Sequence, residues 1–136
     1  MAKERNGKNG EYKASNPLES QIYAITGLKL IVKNERNFRL HLLFALLVVC
    51  IGLLLGFSHQ CCISISLVIG LVLVSEAFNS VIEALSDTIS REYRVNIKYA
   101  KDVSAGAVLI SAIVAIVTGS IIIYPYVLRF IDTYLI

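Results

Sequence analysis

The sequence predicts an all-α membrane protein with one N-terminal interfacial amphipathic helix and three transmembrane helices per subunit. Three observations lead to this class. The 136 residues are 56% hydrophobic with a mean hydropathy of +0.68, which is more apolar than is usual for a soluble domain of this size. Long apolar runs alternate with short polar stretches. The lysines and arginines cluster before the first run and between the second and third, a pattern typical of membrane orientation.

The chain length suits one domain, which we expect over residues 16–136 after a disordered polar tail over residues 1–15. Asn16 and Pro17 suit the N-cap and the first position of a helix, which is predicted over about residues 17–36. An apolar stripe with lysines beside it indicates that this helix lies on the cytoplasmic membrane surface. The alternative is a soluble helix that packs on a partner.

Membrane spans are predicted over about residues 39–57, 61–87 and 103–124. The sequence Tyr124-Pro125-Tyr126 is expected to end the third helix, and a polar connection is expected from about Thr88 to Asp102. Of the 13 lysines and arginines, all but Arg129 flank the first span or lie in this connection. We therefore expect a multi-pass protein of the cytoplasmic (inner) cell membrane, with the N-terminus cytoplasmic, the C-terminus outside and no nucleic-acid partner.

A polar helix face continues directly from the second apolar run. At roughly 100° per residue, Glu76, Asn79, Glu83 and Asp87 fall within an arc of about 80°. Carboxylates are costly in lipid and are rare there without a function. The helix rise places Glu76 inside the membrane near its cytoplasmic boundary and Glu83 at the surface, at the level of Glu35.

This placement favours phosphoryl transfer between a cytosolic nucleotide and a membrane alcohol. The sequence lacks the glycine-rich phosphate loops and the common hydrolase motifs. Phosphoryl transfer still requires only metal ligands, cations near the phosphates and a base near the attacking hydroxyl. The candidates are Glu35 and Glu83 as Mg²⁺ ligands, Lys101 or Arg94 beside the phosphates, Glu76 as general base, and Asn79 to orient the base or the substrate.

Alternatives remain open at the level of single residues. Glu76 also suits a polar pair at a helix interface, or a small proton-coupled membrane transporter with an intramembrane carboxylate. A purely structural assembly subunit is a third class, but it leaves the carboxylate face unexplained. The charged residues of the second connection also suit an ordinary solvated loop.

The run Glu76–Asp87 (EAFNSVIEALSD) closely resembles the ExxN[ST]xxExxxD motif of the prokaryotic diacylglycerol kinase family, which includes the undecaprenol kinases. The resemblance extends through Glu92-Tyr93 to Ala100-Lys101-Asp102 and back to Asn34-Glu35. It implies a small homotrimeric integral membrane kinase that uses ATP and Mg²⁺. Its composite active sites would lie between subunits at the cytoplasmic face.

The same resemblance implies roles for individual residues. Asn16 stands where the family has a nucleotide-contacting arginine. The segment Asn34–His41 looks more like the undecaprenol-type members, so undecaprenol and diacylglycerol are both candidate lipids. By position, the resemblance implies that Glu76 is the catalytic base, accompanied by Asn79, and that Glu35 and Glu83 are metal and nucleotide ligands. It implies that Asp87 is a supporting residue. The implied nucleotide contacts are Tyr23, Glu92, Tyr93, Arg94, Lys101 and Asp102.

Overall fold

A computed structural model of the chain describes residues 16–90 and 92–134, and the predicted tail over residues 1–15 lies outside them. The described part contains four α-helices and no strand. The helices are α1 (Pro17–Asn34), α2 (Arg36–Leu55), α3 (His59–Ile89) and α4 (Val95–Tyr134). Three of them, α2, α3 and α4, are long and apolar enough to cross a membrane. The predicted all-α class with three spanning helices is therefore confirmed.

Helix α1 belongs to a structural unit that ends at Asn34, separate from the unit that begins at Glu35. It begins where the sequence predicts, since the Glu19 N–H donates a hydrogen bond of 2.9 Å to Asn16 Oδ1. None of its residues is buried within the chain. The exposed apolar stripe comprises Leu18, Ile22, Ile25, Leu28 and Val32. Such a stripe is what a helix on a membrane surface needs.

The turn between α2 and α3 is tight and is held by α4. Gly56 ends α2 with φ of 64°, a left-handed conformation in which a side chain would be strained, and its N–H bonds to the Gly52 carbonyl. The Ser58 N–H then donates to the Tyr126 hydroxyl at 3.0 Å. The rings of Phe57 and Tyr126 lie 4.8 Å apart between centroids. Tyr126 thus fixes this end of the bundle.

The polar connection predicted from Thr88 to Asp102 was wrong in extent. Helix α3 runs to Ile89 and α4 begins at Val95, so Lys98, Lys101 and Asp102 lie on a helix. The Lys98–Asp102 pair, at 2.7 Å and a spacing of i to i+4, stabilises the first turns of α4. An apolar run marks where a helix enters lipid, but it does not mark where the helix ends in water.

The prediction that Pro125 ends the third spanning helix was also wrong, because α4 continues through it to Tyr134. Proline removes one backbone donor, which usually breaks a helix in water. In an apolar environment every other backbone group must still find a partner, and continuing the helix provides these partners. With 40 residues, α4 is about 60 Å long and exceeds the roughly 30 Å apolar core of a bilayer.

A polar seam runs between α3 and α4. Helix α3 packs along α4, and α2 packs on α3. The residues buried on the two seam faces include Glu76, Asn79 and Ser86 of α3 and Ser104 and Ser111 of α4. Small serines allow the two backbones to approach closely. The opposite face of α3, with Phe78, Val81 and Leu85, is more than half exposed. Of the predicted polar face, Glu76 and Asn79 are therefore buried in the seam, whereas Glu83 and Asp87 are exposed.

Candidate active site

Glu76 is the most buried carboxylate of the seam, with 2% of its surface exposed. No described residue forms a hydrogen bond with its carboxyl group. Three other ionisable side chains, those of His41, Glu83 and Glu35, interact with it electrostatically. Glu35 and His41 lie at the start of α2, and Glu83 lies about two turns along α3 from Glu76. A desolvated carboxyl without a protein partner is suited to receive a proton from a bound hydroxyl group.

A hydrogen-bonded network connects α3 to α4 next to Glu76. Asn79 Nδ2 donates to Glu83 Oε1 at 3.0 Å. The Ser104 hydroxyl donates to Asn79 Oδ1 at 2.7 Å and also lies 2.9 Å from the Lys101 carbonyl oxygen. Asn79 and Ser104 are both buried, and Glu83 is exposed. The network therefore leads from the inside of the seam to the surface.

A polar cleft of about 330 Å³ opens where α3 ends and α4 begins. The Glu92 N–H donates to the Ser90 hydroxyl at 3.1 Å and shapes the loop that closes the cleft. Its lining residues are Asp87, Ser90, Glu92, Tyr93, Arg94, Ile97, Lys98, Lys101 and Asp102. The cleft thus combines cations, carboxylates and one exposed aromatic ring.

Two ion pairs neutralise the lysines of this cleft within the chain. Lys101 Nζ lies 2.5 Å from Asp87 Oδ1 and so joins α4 to α3. Lys98 Nζ lies 2.7 Å from Asp102 Oδ2 on the same helix. All four side chains are at least one-third exposed, so solvent screens both pairs. An incoming polyphosphate can therefore replace a carboxylate as the partner of either lysine at a small energetic cost.

The structure brings most of the predicted site residues together in two adjoining groups. Five predicted nucleotide contacts line the cleft together with Asp87: Glu92, Tyr93, Arg94, Lys101 and Asp102. The other group contains Glu76, Asn79, Glu83 and Glu35. Tyr23 and Asn16 lie in the other structural unit, and the role of Tyr23 stays a prediction. The individual roles of the other site residues also stay predictions.

The described residues contain no group of three or more His, Cys, Asp or Glu side chains that could hold a metal ion by themselves. Glu35 occupies the N-cap position of α2 without using its side chain as a cap. Glu83 has an exposed carboxylate, oriented by Asn79. Two such carboxylates fit Mg²⁺ that arrives with a nucleotide, since this ion keeps phosphate oxygens and water as its other ligands.

Sequence reasoning missed three polar residues of this region. Ser104 has no role in the predicted site, although its position three residues after Lys101 places both on one face of a helix. Lys98 and Ser90 line the cleft and were given no role. The i to i+4 spacing of Lys98 and Asp102 was the available signal for a helix at this point.

Comparisons with known proteins bear on the same residues. The sequence matches the family described as prokaryotic diacylglycerol kinase over residues 22–123. A diacylglycerol kinase of Synechocystis sp. is 34% identical over 119 residues, which cover 87% of this chain and 68% of that protein. An undecaprenol kinase of Bacillus subtilis is 33% identical over 107 residues, covering 79% and 87%. A diacylglycerol kinase of Escherichia coli is 35% identical over 104 residues, covering 76% and 85%.

The region matched to the family contains both groups of the candidate site, from Glu35 to Asp102. The last part of α4, including Tyr126, lies beyond it. The relatives are named as kinases and give no support to the transporter that the intramembrane carboxylate also suggested.

Proposed function

The chain belongs to the prokaryotic diacylglycerol kinase family and is a membrane-spanning lipid kinase, and on this premise we propose that it phosphorylates a lipid alcohol with ATP at the cytoplasmic face. The observation that carries the proposal is the position of Glu76. Its buried carboxyl lies beside a polar network that reaches the backbone of Lys101, and Lys101 lines the polar cleft. A hydroxyl at the membrane interface and a nucleotide in the cleft would meet at this carboxyl.

In the proposed reaction Glu76 is the general base. Its carboxylate removes the proton from the lipid hydroxyl while the oxygen attacks the γ-phosphorus of ATP. A new oxygen–phosphorus bond forms, the bond to the β-phosphate oxygen breaks, and ADP leaves. The proton stays on Glu76 until solvent accepts it. Glu76 is buried, and no described residue forms a hydrogen bond with its carboxylate. The lipid hydroxyl therefore has no competitor for this carboxylate among the described residues.

The nucleotide would occupy the cleft. Lys101 would exchange Asp87 for a phosphate oxygen, and Arg94 would provide a second cation from the same lining. Glu92, Tyr93 and Asp102 are the proposed contacts to the rest of the nucleotide, together with Tyr23 on α1. Asp87 supports the arrangement through its ion pair across the seam.

Glu35 and Glu83 would hold Mg²⁺ through one carboxylate each. The ion would supply positive charge against the developing charge on the phosphates. The chain's own contribution is to keep the two carboxylates near Glu76, with which both interact electrostatically. Asn79 keeps the Glu83 carboxylate in place through its amide donor.

The lipid is undecaprenol or diacylglycerol, and we favour undecaprenol. The reason is the segment Asn34–His41, which resembles the undecaprenol-type members of the family. Within it, His41 interacts electrostatically with Glu76, the proposed base. Overall identity does not decide between the lipids, because the relatives named for each are 33% to 35% identical to this chain.

We further propose a single kinase domain over residues 16–136 that assembles as a homotrimer, with a cytoplasmic N-terminus and an outside C-terminus. Within the described residues only three apolar side chains are buried, those of Phe38, Ile65 and Val72. The spanning helices therefore need lipid or further copies around them. The clustering of positive charge supports the orientation.

Transfer of labelled phosphate from ATP tests the proposal. Purified protein in detergent with Mg²⁺ would receive undecaprenol and diacylglycerol in separate reactions, with EDTA as a control. We expect labelled undecaprenyl phosphate that disappears when EDTA is present. Labelled phosphatidic acid alone would show that the lipid substrate is diacylglycerol and not undecaprenol. No label in either lipid, from protein that is intact and oligomeric, would contradict the proposed function.

A further inference from the structure

The hydroxyl of Ser104 and the carboxylate of Glu83 hold the Asn79 amide from its two ends. Both Ser104 and Asn79 have only 7% of their surface exposed, so water does not compete for their polar atoms. The Ser104 oxygen lies 2.7 Å from Asn79 Oδ1, a distance at which one of the two atoms must donate a proton. An amide oxygen has no proton, and the donor is therefore the serine hydroxyl.

The carboxylate on the other side of Asn79 requires the same orientation. Glu83 Oε1 lies 3.0 Å from Asn79 Nδ2 and accepts a proton from it. If the amide were rotated by half a turn, its oxygen would face the carboxylate and two acceptors would repel each other. Only an amide with Oδ1 toward α4 and Nδ2 toward Glu83 satisfies both neighbours. A methyl group at position 104 would leave Oδ1 buried without a donor.

The serine hydroxyl has one proton and two acceptors within reach. The Lys101 carbonyl, at 2.9 Å, is the second acceptor. This carbonyl belongs to the interior of α4, where the backbone supplies its hydrogen bond. Asn79 Oδ1 has no other donor among the described residues. The proton is therefore needed at Asn79, and a buried acceptor without a donor would be the costlier arrangement.

We propose that Ser104 is a positioning residue of the kinase, which fixes the Asn79 amide so that Asn79 in turn holds the Glu83 carboxylate for the metal–nucleotide complex. The inference rests on the proposed function for the role of Glu83. Ser104 does not touch the reacting atoms itself. It connects the helix that supplies Lys101 to the helix that supplies Glu83, so the phosphate-binding and metal-binding groups keep one register.

The first test reads the amide directly. In protein with ¹⁵N-labelled asparagine, the side-chain NH₂ signals of Asn79 would be assigned by their loss in Asn79→Ala. In Ser104→Ala we expect these signals to shift and their exchange with water to accelerate. Signals that keep their position and exchange rate would overturn the proposal. This measurement does not depend on kinase activity.

The second test reads the metal. Binding of Mn²⁺ in the presence of a non-hydrolysable ATP analogue would be followed by electron paramagnetic resonance. We expect the dissociation constant of Mn²⁺ to rise about three- to tenfold in Ser104→Ala, the factor that corresponds to one hydrogen bond. The expected fall in kcat/KM is of the same size. An unchanged Mn²⁺ affinity would overturn the link to Glu83.

Ser111→Ala is the matched control. Ser111 is a second buried serine of α4, with 2% exposure, and among the described residues its hydroxyl bonds only to the Val108 carbonyl of its own helix. We expect it to leave the amide signals and Mn²⁺ affinity within twofold of the unchanged protein. Equal effects of Ser111→Ala and Ser104→Ala would assign both to helix packing and overturn the proposal.

A double-mutant cycle with Asn79→Ala separates a path through Asn79 from an independent effect. If Ser104 acts through Asn79, then Ser104→Ala adds no further loss of Mn²⁺ affinity in the Asn79→Ala background. An additive loss would overturn the proposal. Absence of lipid phosphorylation by the unchanged protein would contradict the proposed function alone, because the amide signals still decide whether Ser104 orients Asn79.

Discussion

Replacement of Lys101 by methionine removes one cleft cation while it keeps a long unbranched side chain. In the free protein Lys101 pairs with Asp87 across the seam, with the two side chains 35% and 66% exposed. A pair this open to solvent contributes at most about 1 kcal/mol to stability. A charge-assisted hydrogen bond from the same ammonium group to a phosphate oxygen contributes roughly 1.5–3 kcal/mol. Removing the ammonium group should therefore reduce the free energy of nucleotide binding more than the free energy of unfolding.

The expected result of Lys101→Met is a rise of about 10- to 100-fold in the KM for ATP, the factor that this free energy corresponds to. The KM would be measured by phosphate transfer at saturating lipid, and the thermal midpoint should change by only a few degrees. Lys98→Met is the comparison variant, because Lys98 lines the same cleft but pairs with Asp102 on its own helix. We expect less than a threefold rise there. An unchanged KM in Lys101→Met, or an equal rise in both variants, would contradict a specific contact between Lys101 and the phosphates.

Three further predictions concern stability and the metal. Gly52→Ala would place a methyl carbon 2.8 Å from Phe57 Cδ2, so we expect a loss of about 1–3 kcal/mol in unfolding free energy, seen as a lower thermal midpoint and relieved by a second Phe57→Leu change. Tyr126→Phe removes the acceptor of the Ser58 N–H. The free energy of unfolding should fall by about 0.5–1.5 kcal/mol, while the KM for ATP stays unchanged. A raised KM would contradict a purely structural contact. Glu83→Gln should raise the Mg²⁺ concentration for half-maximal turnover by about tenfold or more; an equal requirement in variant and unchanged protein would contradict its role as ligand.

The sequence was sufficient for the spanning helices and for the inward face of α3. Apolar runs identify helices that enter lipid, and the helical period places Glu76 and Asn79 on one side. Both residues are buried in the seam, whereas Phe78 on the other side is exposed. The Asn16 cap was also predictable, because capping depends on only a few neighbouring residues.

The ends of α4 were not predictable by the same reasoning. Apolarity stops near Val103, but the helix starts at Val95, since charged residues with i to i+4 partners continue a helix into water. At the other end, Pro125 stops helices in soluble proteins, yet α4 continues through it. At both ends the helix therefore extends beyond the predicted span over residues 103–124.

The contacts between α3 and α4 could not be predicted from the sequence, for a different reason. The pairing of Ser104 with Asn79, and of Lys101 with Asp87, depends on the register of two helices along each other. Each helix presents a polar stripe, and a shift of one turn would give a different set of partners. Only the packed structure fixes that register.

The turnover of Glu76→Gln is the most direct test of Glu76 as the general base. Glutamine keeps the size of the side chain but cannot accept a proton from the lipid hydroxyl. General base catalysis contributes about 10²- to 10⁴-fold, so we expect kcat to fall by that factor while binding of the ATP analogue and the oligomer are retained. A kcat within a few-fold of the unchanged protein would contradict the assignment of Glu76 as the base. Loss of the oligomer or of nucleotide binding in this variant would show instead that the carboxyl serves the structure.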